Sequence, residues 1–397
     1  MRIETKHLNR NPGLDLLRAI AIGFVLVYHL PFADRVQALG VFGVEIFLTL
    51  SGFLVAGMIF ERFGGIRESV ELKSFLVNRW LRTLPLYYLT LVATAVLTIW
   101  LGQDLPADVG VFFVFMQNVT QGGQAAHDSW FGASWSLALE EWFYLLLPLT
   151  LWVSRGQSPG RTIIALTIVL AAMALGGRTY RFLTETVFDF DDMYRRTLIF
   201  RLDTFCWGML VYLALRRWEV EVVRHRLALF IAGIAIIVLT MFAASSPDYG
   251  RPFQAIAMLT TISIGTALFI PFFRGLEITG SAPRMLFYVL STRTYALYLT
   301  HGLVYGMIAR HLDTGSIATS VLMLATSLLV ADLVYRYIER PILALRNADT
   351  ARPLVKVSAI MARIQTRIAF EFELLTRRHD LPVPAHALVE RRKMPRI

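Results

Sequence analysis

Apolar residues in this chain gather into separate runs of roughly 17–22 residues. That is the length an α-helix needs to cross the ~30 Å hydrocarbon core of a bilayer. Such a pattern leaves few choices. Every backbone polar group inside lipid must be satisfied within its own segment or within a closed barrel, and runs of this length select helices. Ten segments can be drawn, at about 14–33, 39–60, 84–101, 134–153, 162–177, 198–215, 227–245, 253–273, 286–307 and 316–336. The composition agrees: 56% of residues are hydrophobic and 17% charged, against about 25% charged in soluble domains. The expected fold is therefore all-α, a polytopic transmembrane bundle of about ten spans. The run 109–119 is too short to cross and is expected to be re-entrant or a short extra helix.

Charge distribution sets an expected orientation. The net charge is +10, which in a soluble protein suggests nucleic acid. In a membrane protein it follows from basic loops retained on the cytoplasmic side, so no nucleic-acid partner is expected. One set of loops holds Arg62, Arg67, Lys73, Arg79, Arg82, Arg155, Arg161, Arg216, Arg217, Arg224, Arg226, Arg274 and Arg284. The loop 102–132 on the other side has no Lys or Arg, and in 178–197 the arginines 178, 181, 195 and 196 are offset by Glu185, Asp189, Asp191 and Asp192. Both basic termini are accordingly expected in the cytoplasm, the protein being multi-pass in the inner or plasma membrane, with the lipid bilayer as its first partner. Residues 1–345 read as one membrane domain. Residues 346–397 carry eleven Lys/Arg against five Asp/Glu, with Leu354, Val357, Met361, Ile364, Ile368 and Leu375 at helical spacing. They read as a basic amphipathic tail on the anionic inner leaflet. The single Cys206 excludes internal disulfides and Cys-based metal sites, and no metal is expected.

Polar residues inside the spans are the candidates for function. The first span, LDLLRAIAIGFVLVYHL, holds Arg18 and His29 eleven residues apart. At 100° and 1.5 Å per residue they share a face about 16 Å apart along the axis. Following the spans in and out assigns depths. Arg18, Arg79 and Arg82 fall on the cytoplasmic side. His29, Glu45, Glu140, Arg201, Asp203 and His301 fall on the outer side, and Ser51 near the middle. Guanidinium forks suit a phosphate-bearing ligand, whereas histidine with carboxylates suits proton transfer near neutral pH.

Each motif also has a plain structural explanation. Arg18 can snorkel and His29 can sit at headgroup level. Arg79-x-x-Arg82-x-x-Pro85 shares a helix face, but basic residues before a span are also the ordinary topological signal. The glycines and Ser51 of GVEIFLTLSGFLVAG can serve helix packing; the block lacks a nucleophile elbow, and Ser51 is not expected to be a nucleophile. In SWSLALEEWFYLLLP, which includes Trp135, consecutive Glu140 and Glu141 point about 100° apart, so Glu141 is expected toward the headgroups. Arg201 and Asp203 are expected to form an internal ion pair. Tyr295, Tyr298 and Tyr305 flank His301 at an interface where aromatics are common. The spacing His29-x4-Asp34 matches one element of glycerolipid acyltransferases, without the rest of their pattern.

As a set, the motifs resemble the acyltransferase type 3 family of integral membrane acyltransferases. The resemblance runs from about Leu14 to Pro341 and rests on LDLLRAIAI with R-x10-H, GVEIFLTLSGFL, R-x-x-R-x-x-P at Arg79 to Pro85, WSLALEEWFY, RLDTFCWG, YALYLTH and YRYIERP. Glu45 stands where the family often has aspartate, and Leu48 where a second phenylalanine is usual. The resemblance implies about ten transmembrane helices and transfer of acetyl or another short acyl group, commonly from cytoplasmic acyl-CoA (acetyl-CoA above all), to a hydroxyl of an extracytoplasmic or lipid-linked glycan. It implies His29 as catalytic histidine and base, Arg18 as its motif partner, Arg79 and Arg82 as donor contacts and Glu140 as the family glutamate, orienting His29 or binding acceptor. Glu45, Ser51, Trp135, Arg201, Asp203, Tyr298 and His301 are expected as substrate or structural support. Many members carry a fused hydrolase-like domain, and none is expected here. Two other classes share the polar pattern: a proton-coupled transporter, against which the lack of an internal repeat weighs, and a non-catalytic component of a polysaccharide assembly complex.

Overall fold

The structure is a computed structural model, and it describes residues 10–31, 37–119 and 130–345. Asp34 and the expected amphipathic tail from residue 346 lie outside the described residues. Among these, regular structure is helical, with no strand. The principal helices are α1 (Pro12–Tyr28), α2 (Gln37–Arg62), α3 (Ser69–Trp100), α4 (Ser134–Val153), α5 (Pro159–Thr184), α6 (Asp203–Arg217), α7 (Arg226–Ala244), α8 (Gly250–Ile256), α9 (Met258–Ala267), α10 (Ser281–Ala309) and α11 (Ile317–Val334). Among the described residues, seven helices are long and apolar enough to cross a membrane, or eight if the bent pair beginning with α8 is one span. Each of the ten expected segments contains helix, and α1, at 17 residues, falls outside the seven. The run 109–119 holds a four-residue helix, Gly110–Phe113. The chain divides into two compact units, one ending at Tyr335 and the other beginning at Arg336.

Helix α1 is specified locally at both ends. The Asn11 side chain accepts from the Leu14 N–H at 3.0 Å, and Pro12 occupies the first turn, where its missing N–H costs nothing. Leu14, Leu17, Ala21, Ile22, Val25 and Leu26 form its buried stripe at spacings of three and four. The helix ends at Tyr28 rather than at residue 33, because Pro31 lies just beyond. His29 is therefore its C-cap, with an exposed side chain.

Helix α3 departs most from expectation. It begins at Ser69 instead of 84, so Arg79 and Arg82 lie in its interior. The Glu71 carboxylate closes the start by accepting from the Arg67 and Glu68 N–H groups at 2.6 and 3.1 Å. Charge made this stretch look like a loop; the helix absorbs it by turning Arg79 onto the rings of Phe75 and Tyr144.

The eighth expected span is broken. Helices α8 and α9–Arg274 meet at 61°. The Ile256 carbonyl at the break accepts from Arg178 Nη1 at 3.1 Å, so a side chain replaces the lost helical donor.

The centre of the bundle is the crossing of α2 and α6. A Cβ on Gly52 would sit 1.9 Å from the Phe205 carbonyl oxygen, and one on Gly208 would sit 1.8 Å from that of Thr49. Only hydrogen fits where backbone faces backbone. Gly208→Ala is expected to lose about 1–3 kcal/mol through overpacking. Gly306→Ala, which meets no atom within 4 Å, is expected to be neutral or to gain up to about 1 kcal/mol from helix propensity. Thermal unfolding of the two variants in detergent checks the contrast.

Candidate active site

Three groups of buried polar residues emerge, and they do not follow the expected two layers. The first surrounds a cavity of about 400 Å³ formed by the end of α1, the start of α2, residues 130–135, the turn at Arg195–Arg196 and the middle of α10. His29, Trp135, Tyr298 and His301 all line it. His29 Nδ1 lies 2.8 Å from the Val25 carbonyl, and His301 Nδ1 lies 3.0 Å from that of Leu297. A carbonyl only accepts, so in each neutral ring Nδ1 carries the hydrogen and Nε2 keeps its lone pair. The two rings meet edge to face with centroids 4.8 Å apart. His301 is buried, 3% exposed, beneath the exposed His29. The Tyr298 and Ser136 hydroxyls are hydrogen-bonded to each other. The backbone of α1 holds the His29 ring through Nδ1.

The second group gathers the arginines expected to bind donor. Asp15, 3% exposed, accepts from Arg10 at 2.8 Å, Arg18 at 3.2 Å and Ser291 at 2.6 Å. Arg18 is electrostatically coupled to Arg82, and Arg82 to Arg79. The Arg79 guanidinium lies 4.8 Å from the Tyr144 ring centre, and its buried Nε has no partner. Glu140 joins this group. Its Oε1 accepts from Ser51 Oγ at 2.8 Å and from the Tyr144 hydroxyl. Ser51 serves Glu140 as a donor. Glu141 is not at the headgroups: it is 8% exposed and faces α3, beside Arg79, Thr83 and Trp80.

The third group is buried and, among the described residues, shares no hydrogen bond with the other two. Arg201 pairs with Glu45, not with Asp203; all three are 0% exposed. Ser263 Oγ donates to the other Glu45 oxygen at 2.9 Å. Asp203 instead pairs with Arg178 at 3.1 Å and accepts from Thr260 at 2.9 Å. Arg178 Nε and Nη2 also donate to the Phe200 carbonyl, the first at 3.0 Å. Arg201 lies in the turn that follows the short helix Leu198–Phe200, whereas Asp203 opens α6, and each finds a different partner. These pairs tie α2, α5, α6 and α9 together.

Asp15, Tyr144, Arg178, Arg195 and Arg196 were not singled out from the sequence as site residues. Two carried a signal at helical spacing: Asp15 is three residues before Arg18, and Tyr144 four after Glu140. The arginines looked like balanced loop charge.

With the geometry in hand, the motifs can be set beside known proteins. A family described as "Acyltransferase domain" matches residues 11–336. The chain belongs to the acyltransferase type 3 family. Among curated relatives it is 27% identical over 355 residues to the peptidoglycan O-acetyltransferase OatA of Listeria monocytogenes, covering 83% of this chain and 55% of that protein. It is 25% identical over 401 residues to the O-acetyltransferase OatA of Staphylococcus aureus strain NCTC 8325 / PS 47, covering 93% of this chain and 64% of that protein. The chain thus spans between half and two thirds of the length of these relatives. No solved structure matches it.

The third group has a test that separates structure from chemistry. Removing one partner of a buried pair strands the other charge, at about 3–5 kcal/mol, whereas replacing both by apolar residues is close to neutral. Arg201→Met is expected to lose most folded protein, and Arg201→Met with Glu45→Leu to recover it. Fluorescence-detected size exclusion of the two variants gives the readout.

Proposed function

We propose that this chain is a membrane-embedded O-acyltransferase that moves an acetyl or other short acyl group from cytoplasmic acyl-CoA to a hydroxyl of an extracytoplasmic or lipid-linked glycan. Family membership and the O-acetyltransferase relatives support acyl transfer to oxygen. The observation that carries the mechanism is His29: an exposed imidazole at a cavity rim, with Nδ1 tied to the Val25 carbonyl and Nε2 left as the acceptor. The relatives named for peptidoglycan support a cell-wall or related surface glycan as acceptor.

In this reading the donor's phosphates bind Arg82 and Arg18, with Arg79 deeper. Coenzyme A is polyanionic, and a cluster of guanidiniums only partly balanced by Asp15 suits it. The neutral pantetheine arm then follows the polar line Arg79–Tyr144–Glu140–Ser51 toward Tyr298 and His301. At the cavity, His29 Nε2 accepts the proton of the acceptor hydroxyl as its oxygen attacks the thioester carbonyl. The carbon–oxygen bond forms, the carbon–sulfur bond breaks, and the proton passes from His29 to the leaving thiolate. Direct transfer is preferred over an acyl-histidine intermediate because it needs fewer steps. Trp135 and Tyr298 form the cavity wall, and His301 backs His29. Glu45, Arg201 and Asp203 keep the bundle in register. Both termini are cytoplasmic, in the inner or plasma membrane.

Membranes incubated with radiolabelled acetyl-CoA are expected to yield glycan label that mild alkali releases. Solute uptake without glycan label would instead favour a transporter. His29→Ala is expected to lower transfer by at least about 10²–10⁴-fold, the usual size of a general-base contribution, with unchanged insertion and thermal stability; retained transfer removes His29 from the chemistry. Arg82→Ala is expected to raise KM for acetyl-CoA while the acceptor KM holds. An unaltered donor KM removes the phosphate role.

A further inference from the structure

The cavity beside His29 carries a charge that proton transfer by His29 does not require. Its lining includes two guanidiniums, Arg195 and Arg196, and the imidazoles of His29 and His301, with no carboxylate among the described lining residues. Both guanidiniums are electrostatically coupled to His29. They sit at the end of a single wide turn, Asp191–Arg195, between α5 and α6. Asp191 accepts from Arg195 Nη1 at 3.0 Å, and Asp192 accepts from Arg196 Nη1 at 2.8 Å. Neither aspartate lines the cavity, so each holds its arginine from outside.

Arg195 is built into the wall rather than waving in solvent. It is 4% exposed, and its guanidinium lies 4.9 Å from the ring centre of Trp135. Among the described residues its buried Nε has no hydrogen-bond partner. Among the described lining residues the permanently charged groups are the two guanidiniums, set beside a rigid aromatic ring, and that combination fits an anion.

We propose that the acceptor is an acidic glycan, carrying a carboxylate or a phosphate close to the acylated hydroxyl, and that Arg195 and Arg196 seat this anion so that the hydroxyl faces His29 Nε2. The anion takes no part in the bonds made or broken; the two arginines are positioning residues. This rests on reading the cavity as the acceptor site of the transfer reaction.

The test uses the full chain in nanodiscs and three oligosaccharides of one length: a uronate, its carboxyl-reduced neutral counterpart, and a phosphorylated form. Equilibrium binding is expected to be at least tenfold tighter for one or both anionic forms, and the tighter of the two identifies carboxylate or phosphate as the source. Arg195→Gln with Arg196→Gln should abolish the preference. Arg195→Lys, which keeps the charge and guards against a folding defect, should retain it in part. Equal affinity for all three in the native chain overturns the proposal, as does a preference that survives the double substitution. Transfer from radiolabelled acetyl-CoA is followed in parallel. A binding preference without transfer upholds the acidic seat and removes the acyltransferase reading, and transfer that ignores acceptor charge does the reverse.

Discussion

A charge buried in an apolar interior survives only beside its opposite, and this rule organises the bundle. Glu45, Arg178, Arg201 and Asp203 are completely enclosed, and each would be ruinous alone. Paired as Glu45–Arg201 and Arg178–Asp203, they become the joints between α2, α5 and α6. The same pairing reaches the broken span. Arg178 satisfies Asp203, the Phe200 carbonyl and the Ile256 carbonyl together, so the bend before α9 and the start of α6 are fixed by one guanidinium. The glycines at the α2–α6 crossing then let two backbones close to contact around the Glu45–Arg201 pair.

Against that enclosed centre, the two ends of α1 look different in kind. At one end arginines outnumber acids, and only Asp15 balances Arg10 and Arg18. At the other the ionisable groups are imidazoles held by backbone carbonyls and arginines held by their own turn. Glu140, Ser51, Tyr144 and Arg79 form a further connected set of their own.

The sequence made helices legible wherever apolar runs were long, because lipid removes every alternative for the backbone. It also singled out His29, His301, Tyr298 and Trp135, in separate motifs and with different roles, and the cavity brings these four together. What it hid has physical causes. Arg79 and Arg82 interrupt the apolar count and so concealed fifteen residues of α3, since a cation over an aromatic ring leaves no hydropathy signal. Arg201 and Asp203 looked like partners because they are close in the chain, but Arg201 lies in the turn before α6 and Asp203 opens that helix, and their true partners lie 156 and 25 positions away. Arg195 and Arg196 looked neutralised by Asp191 and Asp192. The pairing is real, yet it leaves the arginines facing inward and the aspartates out of the cavity.

The buried stripe of α1 between Arg18 and His29 consists of Ala21, Ile22, Val25 and Leu26. It is an insulator. A bare ion moving along that face would forfeit its hydration with nothing in return, a barrier of tens of kcal/mol in a medium of low dielectric constant. The helix that supplies both Arg18 and His29 therefore also keeps the two ends electrically apart. On the side of α2 and α4, by contrast, the Tyr144 and Ser51 hydroxyls meet beside Glu140. The one helix that carries both Arg18 and His29 is thus itself the barrier to a bare charge passing between them.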